Sequence, residues 1–135
     1  MNKILVGIDG SEGSEHALNK ALTLIDEYGE IILLAVIPSE TQYVTLEVKK
    51  PVDLYKQANE YLMDISNNLL DQDYAITTMI KEGEAASVII DTANDKEVDL
   101  VVIGSKGSSK IGWYSLGSVA NKVVQYAHRP VMIVR

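Results

Sequence analysis

The 135-residue sequence contains no cysteine, so disulfide scaffolds, thiolate nucleophiles and cysteine-ligated zinc are excluded. Histidine is scarce as well. The only two, His16 and His128, are too far apart in the sequence to indicate a metal cluster, and no serine has an obvious histidine partner. The sequence therefore offers no metal centre and no serine-histidine nucleophile.

Basic residues are in the minority, with 12 lysines and arginines against 19 aspartates and glutamates, for a net charge of -7. A molecule with this charge repels nucleic acid and anionic membrane surfaces. We therefore expect no nucleic-acid partner and no membrane partner. A phosphate-bearing ligand would have to be captured by local groups that overcome the overall field.

Long hydrophobic runs are also missing, since no stretch approaches the ~20 apolar residues of a membrane span. The first apolar run, residues 4–8, is too short for a signal peptide. We expect a cytoplasmic protein. The length and the apolar content of 47% predict that residues 1–135 form one globular domain.

Four short apolar runs predict strands, at residues 4–8, 31–37, 100–103 and 131–134, and a weaker alternation predicts an edge-side strand at residues 74–80. Four segments with apolar residues at helical spacing alternate with them. Ser11 is the predicted N-cap of the first helix, the apolar stripe of the second runs from Tyr55 to Leu69, and that of the fourth includes Val124. This alternation predicts an α/β fold, a Rossmann-like five-stranded parallel sheet with helices on both faces.

Two strand orders are common for such a sheet, 2-1-3-4-5 and 3-2-1-4-5. Ligands bind in open α/β sheets at the carboxyl ends of the strands, where the strand order reverses. The first order would put the crevice beside the predicted turn Lys81-Glu82-Gly83, whereas the second brings Asp9 alongside Gly104. The strands that lead into Asp9 and Gly104 have the most polar and least core-like carboxyl ends. We therefore predict the order 3-2-1-4-5.

The fourth run breaks at Gly104 into a loop rich in glycine, serine and lysine, and Gly117-Ser118 then opens a helix. Glycines let backbone N–H groups approach a phosphate, and a helix N-terminus adds unpaired donors and partial positive charge. The pattern is typical of a phosphate-binding loop. It is neither a Walker A loop, because Trp113-Tyr114 follows Gly112 where lysine and a hydroxyl should stand, nor the dinucleotide fingerprint G-x-G-x-x-G.

The spacing Gly104-x2-Gly107-x9-Gly117-Ser118 resembles the G-x2-G-x9-G-[ST] signature of the universal stress protein family. The first strand with Asp9-Gly10-Ser11, and the ending 129–134, also look like that family's terminal signatures. The similarity covers essentially the whole chain. The resemblance implies an ATP-binding α/β domain, often a homodimer that pairs through the last strand, Val131–Val134.

The resemblance also implies positions for the nucleotide. Asp9 would contact its ribose or adenine side and Val36 would line the adenine pocket. Gly7, where some ATP-binding members have proline, is included among the nucleotide-binding residues. The residues implied around the ribose and phosphates are Gly104, Lys106, Gly107, Gly117, Ser118, Val119 and Ala120.

Each of these assignments has a structural alternative. Asp9 could serve only as a turn former, and the glycines could serve only to permit sharp turns. For the function, we expect a nucleotide-responsive regulatory or stress-survival protein that binds ATP, with Mg²⁺ held mainly through the phosphates. The alternatives are a slow ATP hydrolase, for which only Asp9, Lys106 and Lys110 are at hand, and a dimerising module that needs no nucleotide.

Overall fold

A computed structural model of the chain describes residues 1–39, 51–105 and 117–135, with the backbone alone for Pro51 and Val52. All strand pairs in the sheet are parallel. The strands are β1 Lys3–Gly7, β2 Glu30–Ile37, β3 Ala75–Glu82, β4 Leu100–Gly104 and β5 Val131–Val134. The helices between them are α1 Glu12–Leu24, α2 Pro51–Asn67, α3 Ala85–Asp95 and α4 Ser118–Tyr126.

The strand order is β3-β2-β1-β4-β5, so the predicted order is confirmed. Helices α1 and α2 cover one face of the sheet, where Val6, Leu18 and Leu62 belong to one buried cluster. Helices α3 and α4 cover the other face, where Ile89 and Val123 belong to a second cluster. The strands therefore contribute side chains to a core on each face, as their uninterrupted apolar runs indicated. Within the described ranges, no helix has both the length and the apolar character needed to cross a bilayer.

The first helix begins where the sequence predicted. Ser11 is the N-cap of α1, and its Oγ accepts a hydrogen bond from the Ser14 amide at 3.1 Å. Two other details of the helices differ from prediction. Tyr55 and Val124, both placed in buried stripes, are 53% and 48% exposed.

The predicted turn at Lys81-Glu82 is wrong, since β3 continues through Glu82 before the chain turns at Gly83. The additional residues pair with β2, in the register Val36 to Lys81 and Ile37 to Glu82. The half-buried ammonium of Lys81 donates to the Thr92 hydroxyl at 3.0 Å. Backbone pairing and this hydrogen bond together allow a charged residue to extend the strand.

The register brings three chain segments to one place at the carboxyl edge of the sheet. Gly7 pairs with Leu34 of β2, so two residues further along each strand Asp9 is level with Val36. Val6 pairs with Val102 of β4, so three residues further along each strand Asp9 is level with Ser105. The strand order reverses between β1 and β4, and Asp9 therefore stands at the point where open α/β sheets bind ligands.

Gly104 is held against the first turn of α1. A Cβ added at Gly104 would lie 2.7 Å from the carbonyl carbon and oxygen of Gly13, which real Cβ atoms do not do. Gly104 does not have a positive φ, so the constraint is the space and not the backbone conformation. The close contact between β4 and α1 therefore requires glycine here irrespective of any ligand.

We expect Gly104→Ala to lower the free energy of unfolding by about 3 kcal/mol, because neither backbone can move aside cheaply. Gly7→Ala is the matched control, since its Cβ would meet only side-chain methyls, of Ile103 at 3.2 Å and of Ile89 at 3.6 Å, and should cost less than about 1 kcal/mol. Urea unfolding of both variants measures the difference. Equal losses for the two would contradict the packing argument.

Candidate functional site

The turn after β1 forms the first part of the site. The Ile8 amide still donates to the Leu34 carbonyl at 2.8 Å, and the chain then turns through Gly10, which has a φ of 79°. Such a φ favours glycine, because a Cβ is disfavoured in the left-handed region. The turn leaves Asp9 exposed at the carboxyl edge of the sheet and directs Ser11 into the N-cap of α1.

The Asp9 carboxylate is partly committed to this turn. Its Oδ1 accepts hydrogen bonds from both the amide and the hydroxyl of Ser11, at 2.9 and 2.5 Å. The Asp9 amide in turn donates to the Ser14 hydroxyl at 3.4 Å. The turn-forming role considered for Asp9 is therefore present in the structure. Within the described segments nothing donates to its Oδ2, so that oxygen can accept a hydrogen bond from a ligand.

The end of β4 forms the second part of the site, through the backbone of the buried residue Ser105. The Ser105 amide donates to the Val134 carbonyl of β5 at 2.8 Å, and its carbonyl accepts from the Gly117 amide at 2.5 Å. The second bond joins the two ends of the segment 106–116. It fixes the start of α4 beside the end of β4.

The N-terminus of α4 offers hydrogen-bond donors that no side chain in the described ranges occupies. Gly117 is the N-cap, and no side chain of the described residues caps this helix. The amides that begin a helix have no partner within it, which leaves those of Ser118, Val119 and Ala120 as donors. The first turn of α4 contains no acidic side chain, so its partial positive charge is not neutralised from within. This end of the helix suits an anion.

A cleft of about 550 Å³ forms the third part of the site, between the ends of β1 and β2 and helix α2. Asp9 and Val36 both line it. Its apolar surface comes from strand residues such as Ile8 and Ile37 and from helix residues such as Ala58. Its polar side chains on α2 are Gln57, Glu60, Tyr61 and Asp64. The cleft can hold a flat, largely apolar group with hydrogen-bonding atoms at its edge.

Tyr61 lies at the acidic side of this cleft. Burial raises the pKa of its phenol, and the negative charges of Glu15 and Asp9 and a hydrogen bond to the Glu15 carboxylate raise it further. The phenol thus stays protonated and donates to Glu15. Tyr61 of α2 and Glu15 of α1 therefore lie close to each other, beside the cleft that Tyr61 lines.

The structure brings together most of the residues predicted for the site. Asp9 and Val36 line the cleft, and Gly104 is followed directly by the Ser105 backbone that holds the N-terminus of α4. Gly7 does not line the cleft, since the space beside its Cα faces Ile103 and Ile89. Lys106 and Gly107, like Lys110, lie outside the described residues.

Two parts of the site were not predicted. The sequence analysis treated the apolar stripe of α2 as ordinary core and did not single out Tyr61, although Leu54, Ala58 and Tyr61 stand at helical spacing on one side of that helix. Ser105 was missed because it acts only through its backbone. A backbone hydrogen bond leaves no trace in residue type.

Comparison with known proteins gives a consistent result over the whole chain. The model of the universal stress protein family matches residues 1–135. Universal stress protein YxiE of Bacillus subtilis is 31% identical over 146 residues, covering 99% of each chain.

Solved structures resemble the fold as well. The structure of MJ0577, a universal stress protein of Methanocaldococcus jannaschii, matches with a TM-score of 0.86 at 29% identity, covering 98% of this chain and 94% of that one. The universal stress protein from Archaeoglobus fulgidus, solved in complex with dAMP, matches with a TM-score of 0.68 at 20% identity, covering 100% and 98%. The latter likeness extends to the fold alone.

We expect Tyr61→Phe to be about 1 kcal/mol less stable than the unchanged protein at pH 8, because the hydrogen bond to Glu15 is lost. This difference in the free energy of unfolding, the gap between the two proteins, should close as the pH rises above 10. Since folding raises the pKa of Tyr61 above its ordinary value of 10.0, the unfolded chain loses this proton first, and the unchanged protein is destabilised there. Tyr74, whose pKa is also raised by burial and by Asp73, titrates in both proteins and cancels. Urea unfolding from pH 8 to 11 measures the gap, and a constant gap would count against the assignment.

Proposed function

The chain belongs to the universal stress protein family, and we propose that it binds ATP at the carboxyl edge of its sheet and acts as a nucleotide-responsive regulatory or stress-survival protein. The observation that carries the proposal is the hydrogen bond from the Gly117 amide to the Ser105 carbonyl. It sets an uncapped helix N-terminus beside the strand end that is level with Asp9, at the point where the strand order reverses. An anion-binding group and a hydrogen-bond acceptor thus lie at the same edge of the sheet.

The phosphates belong at the N-terminus of α4. The amides of Ser118, Val119 and Ala120 point there without intrahelical partners, and the helix end favours negative charge. Because the chain has a net charge of -7, this local site has to overcome general repulsion. Across the described ranges, no three carboxylate or imidazole groups are arranged to hold a metal, so we assign Mg²⁺ mainly to the phosphates themselves.

The nucleoside belongs in the cleft beside α2. Its apolar surface suits the face of a base, with Val36 at the β2 end, and the free Oδ2 of Asp9 can accept a ribose hydroxyl. The structural neighbour from Archaeoglobus fulgidus was solved with dAMP, which supports a nucleotide as the ligand. On this basis residues 1–135 act as one nucleotide-binding domain. The cytoplasmic location expected from the sequence stays a prediction.

We also propose that two chains pair through β5. This strand ends the sheet, and all four of its residues, Val131–Val134, are only half-buried. The carbonyls of Pro130 and Val134 accept hydrogen bonds from β4. Backbone groups alternate in direction along a strand, so those of Val131 and Ile133 point away from β4. An apolar edge with free donors and acceptors favours pairing with a second copy.

ATP with Mg²⁺ should bind the purified protein and raise its thermal stability, since ligand at 100 times its Kd adds ~2.7 kcal/mol. We expect Asp9→Asn to weaken binding about tenfold, because the neutral amide forms a weaker hydrogen bond with the ribose. The variant keeps an oxygen for Ser11, so the turn survives. Isothermal titration calorimetry measures both affinities.

Asp99→Asn is the matched control for that measurement. Asp99 is a carboxylate at the opposite edge of the sheet, where its Oδ2 accepts from the amides of Asn2 and Lys3 at 3.0 and 2.9 Å. Its replacement should leave ATP affinity unchanged. Equal effects of the two substitutions would show that Asp9 acts only on the fold, and absence of binding to the unchanged protein would remove the proposed function.

Sedimentation equilibrium should give twice the mass of one chain. Ile133→Pro deletes a backbone donor that faces away from β4 and should shift the population to monomer, with circular dichroism reporting whether the fold is kept. A monomer for the unchanged protein at tens of micromolar would rule out the β5 dimer.

A further inference from the structure

We propose that Glu60 and Asp64 of α2 exclude from the cleft nucleotides that carry an additional phosphate on the 2′ or the 3′ position of the sugar. The inference rests on the proposed function, since it concerns the sugar end of the same ligand. It assigns a selectivity role to residues of α2, which the sequence analysis did not connect with the site.

The charged side chains among the described lining residues of the cleft are all acidic. Asp9 lines it from the strand side, and Glu60 and Asp64 line it from the helix side. Glu15 adds a further carboxylate at Tyr61, close enough to accept its hydrogen bond. Among the described residues that line the cleft there is no lysine, arginine or histidine. A phosphate placed there would therefore meet carboxylates on both sides, and the described lining offers no cation to offset them.

Ribose hydroxyls suit the same surroundings. A hydroxyl donates to a carboxylate, whereas a phosphate at the same position is repelled by it. Dinucleotide-binding domains use this difference, with an acidic residue on the ribose 2′-hydroxyl and an arginine where a 2′-phosphate is accepted. The cleft has the acidic arrangement, with Asp9 in the turn after β1 and Glu60 and Asp64 on α2.

The positions of the two helix carboxylates are not explained by the helix itself. Glu60 and Asp64 stand four residues apart on one side of α2, a spacing that places like charges next to each other and destabilises a helix. Within the described part of the chain neither forms an ion pair. The lining residues also do not form a metal site, since no group of three such side chains in the described segments could hold one. Repulsion of an additional phosphate would give these two carboxylates a role in their present positions.

Calorimetric titration of the full chain with AMP, adenosine 2′,5′-bisphosphate and adenosine 3′,5′-bisphosphate, with ATP in parallel, tests the proposal. We expect both bisphosphates to bind at least about tenfold more weakly than AMP, and the ratio to shrink in high salt as the charges are screened. The double variant Glu60→Gln, Asp64→Asn should reduce the ratio by about threefold or more, because it removes the charges that repel the additional phosphate.

The matched control is the double variant Asp91→Asn, Asp95→Asn. These two exposed aspartates have the same four-residue spacing on α3, which packs on the opposite face of the sheet, and their replacement changes the net charge equally. The control should leave the ratio unchanged. If bisphosphates bind as tightly as AMP, or if the two double variants behave alike, the selectivity is wrong while nucleotide binding stands. If neither ATP nor AMP binds, the proposed function fails and the selectivity with it.

Discussion

The backbone of Ser105 is the joint on which the arrangement of the crevice depends. Its amide bonds to β5 and its carbonyl bonds to the Gly117 amide, so one buried residue ties the end of β4 to the last strand and to the start of α4. Ala120 and Val123 pack α4 on the sheet, and its N-cap, Gly117, is held at the end of β4 by this joint. With it, the helix donors face the same edge of the sheet as Asp9, which is level with Ser105.

Residues that a sequence signature assigns to ligand binding also stabilise the fold. Gly104 belongs to the glycine spacing, and it is required by the carbonyl of Gly13, with which any Cβ would collide. Asp9 likewise holds Ser11 through one oxygen and leaves the other for a ligand. Packing and binding constraints act on the same positions here. Loss of binding in a variant of either residue is therefore informative only beside a measurement of stability.

Much of the architecture could be predicted because the signals were local. The apolar runs mark the strands, Ser11 marks a helix start, and the polar ends of β1 and β4 select the strand order. The predictions failed where tertiary contacts override local pattern. Lys81 continues a strand because its backbone pairs with β2 and the Thr92 hydroxyl accepts a hydrogen bond from its ammonium. The cleft depends on how α2 packs against the strand ends, which no residue type encodes.

The central claim is that one crevice binds both ends of a nucleotide, its phosphates at the N-terminus of α4 and its base and sugar in the cleft between Val36 and α2. A crystal structure of the protein grown with excess ATP and Mg²⁺ tests it most directly. The account predicts phosphate oxygens within hydrogen-bond distance of the Ser118, Val119 and Ala120 amides, and a ribose hydroxyl on Oδ2 of Asp9. ATP bound at another surface, or a crevice filled by the protein's own side chains, would contradict it.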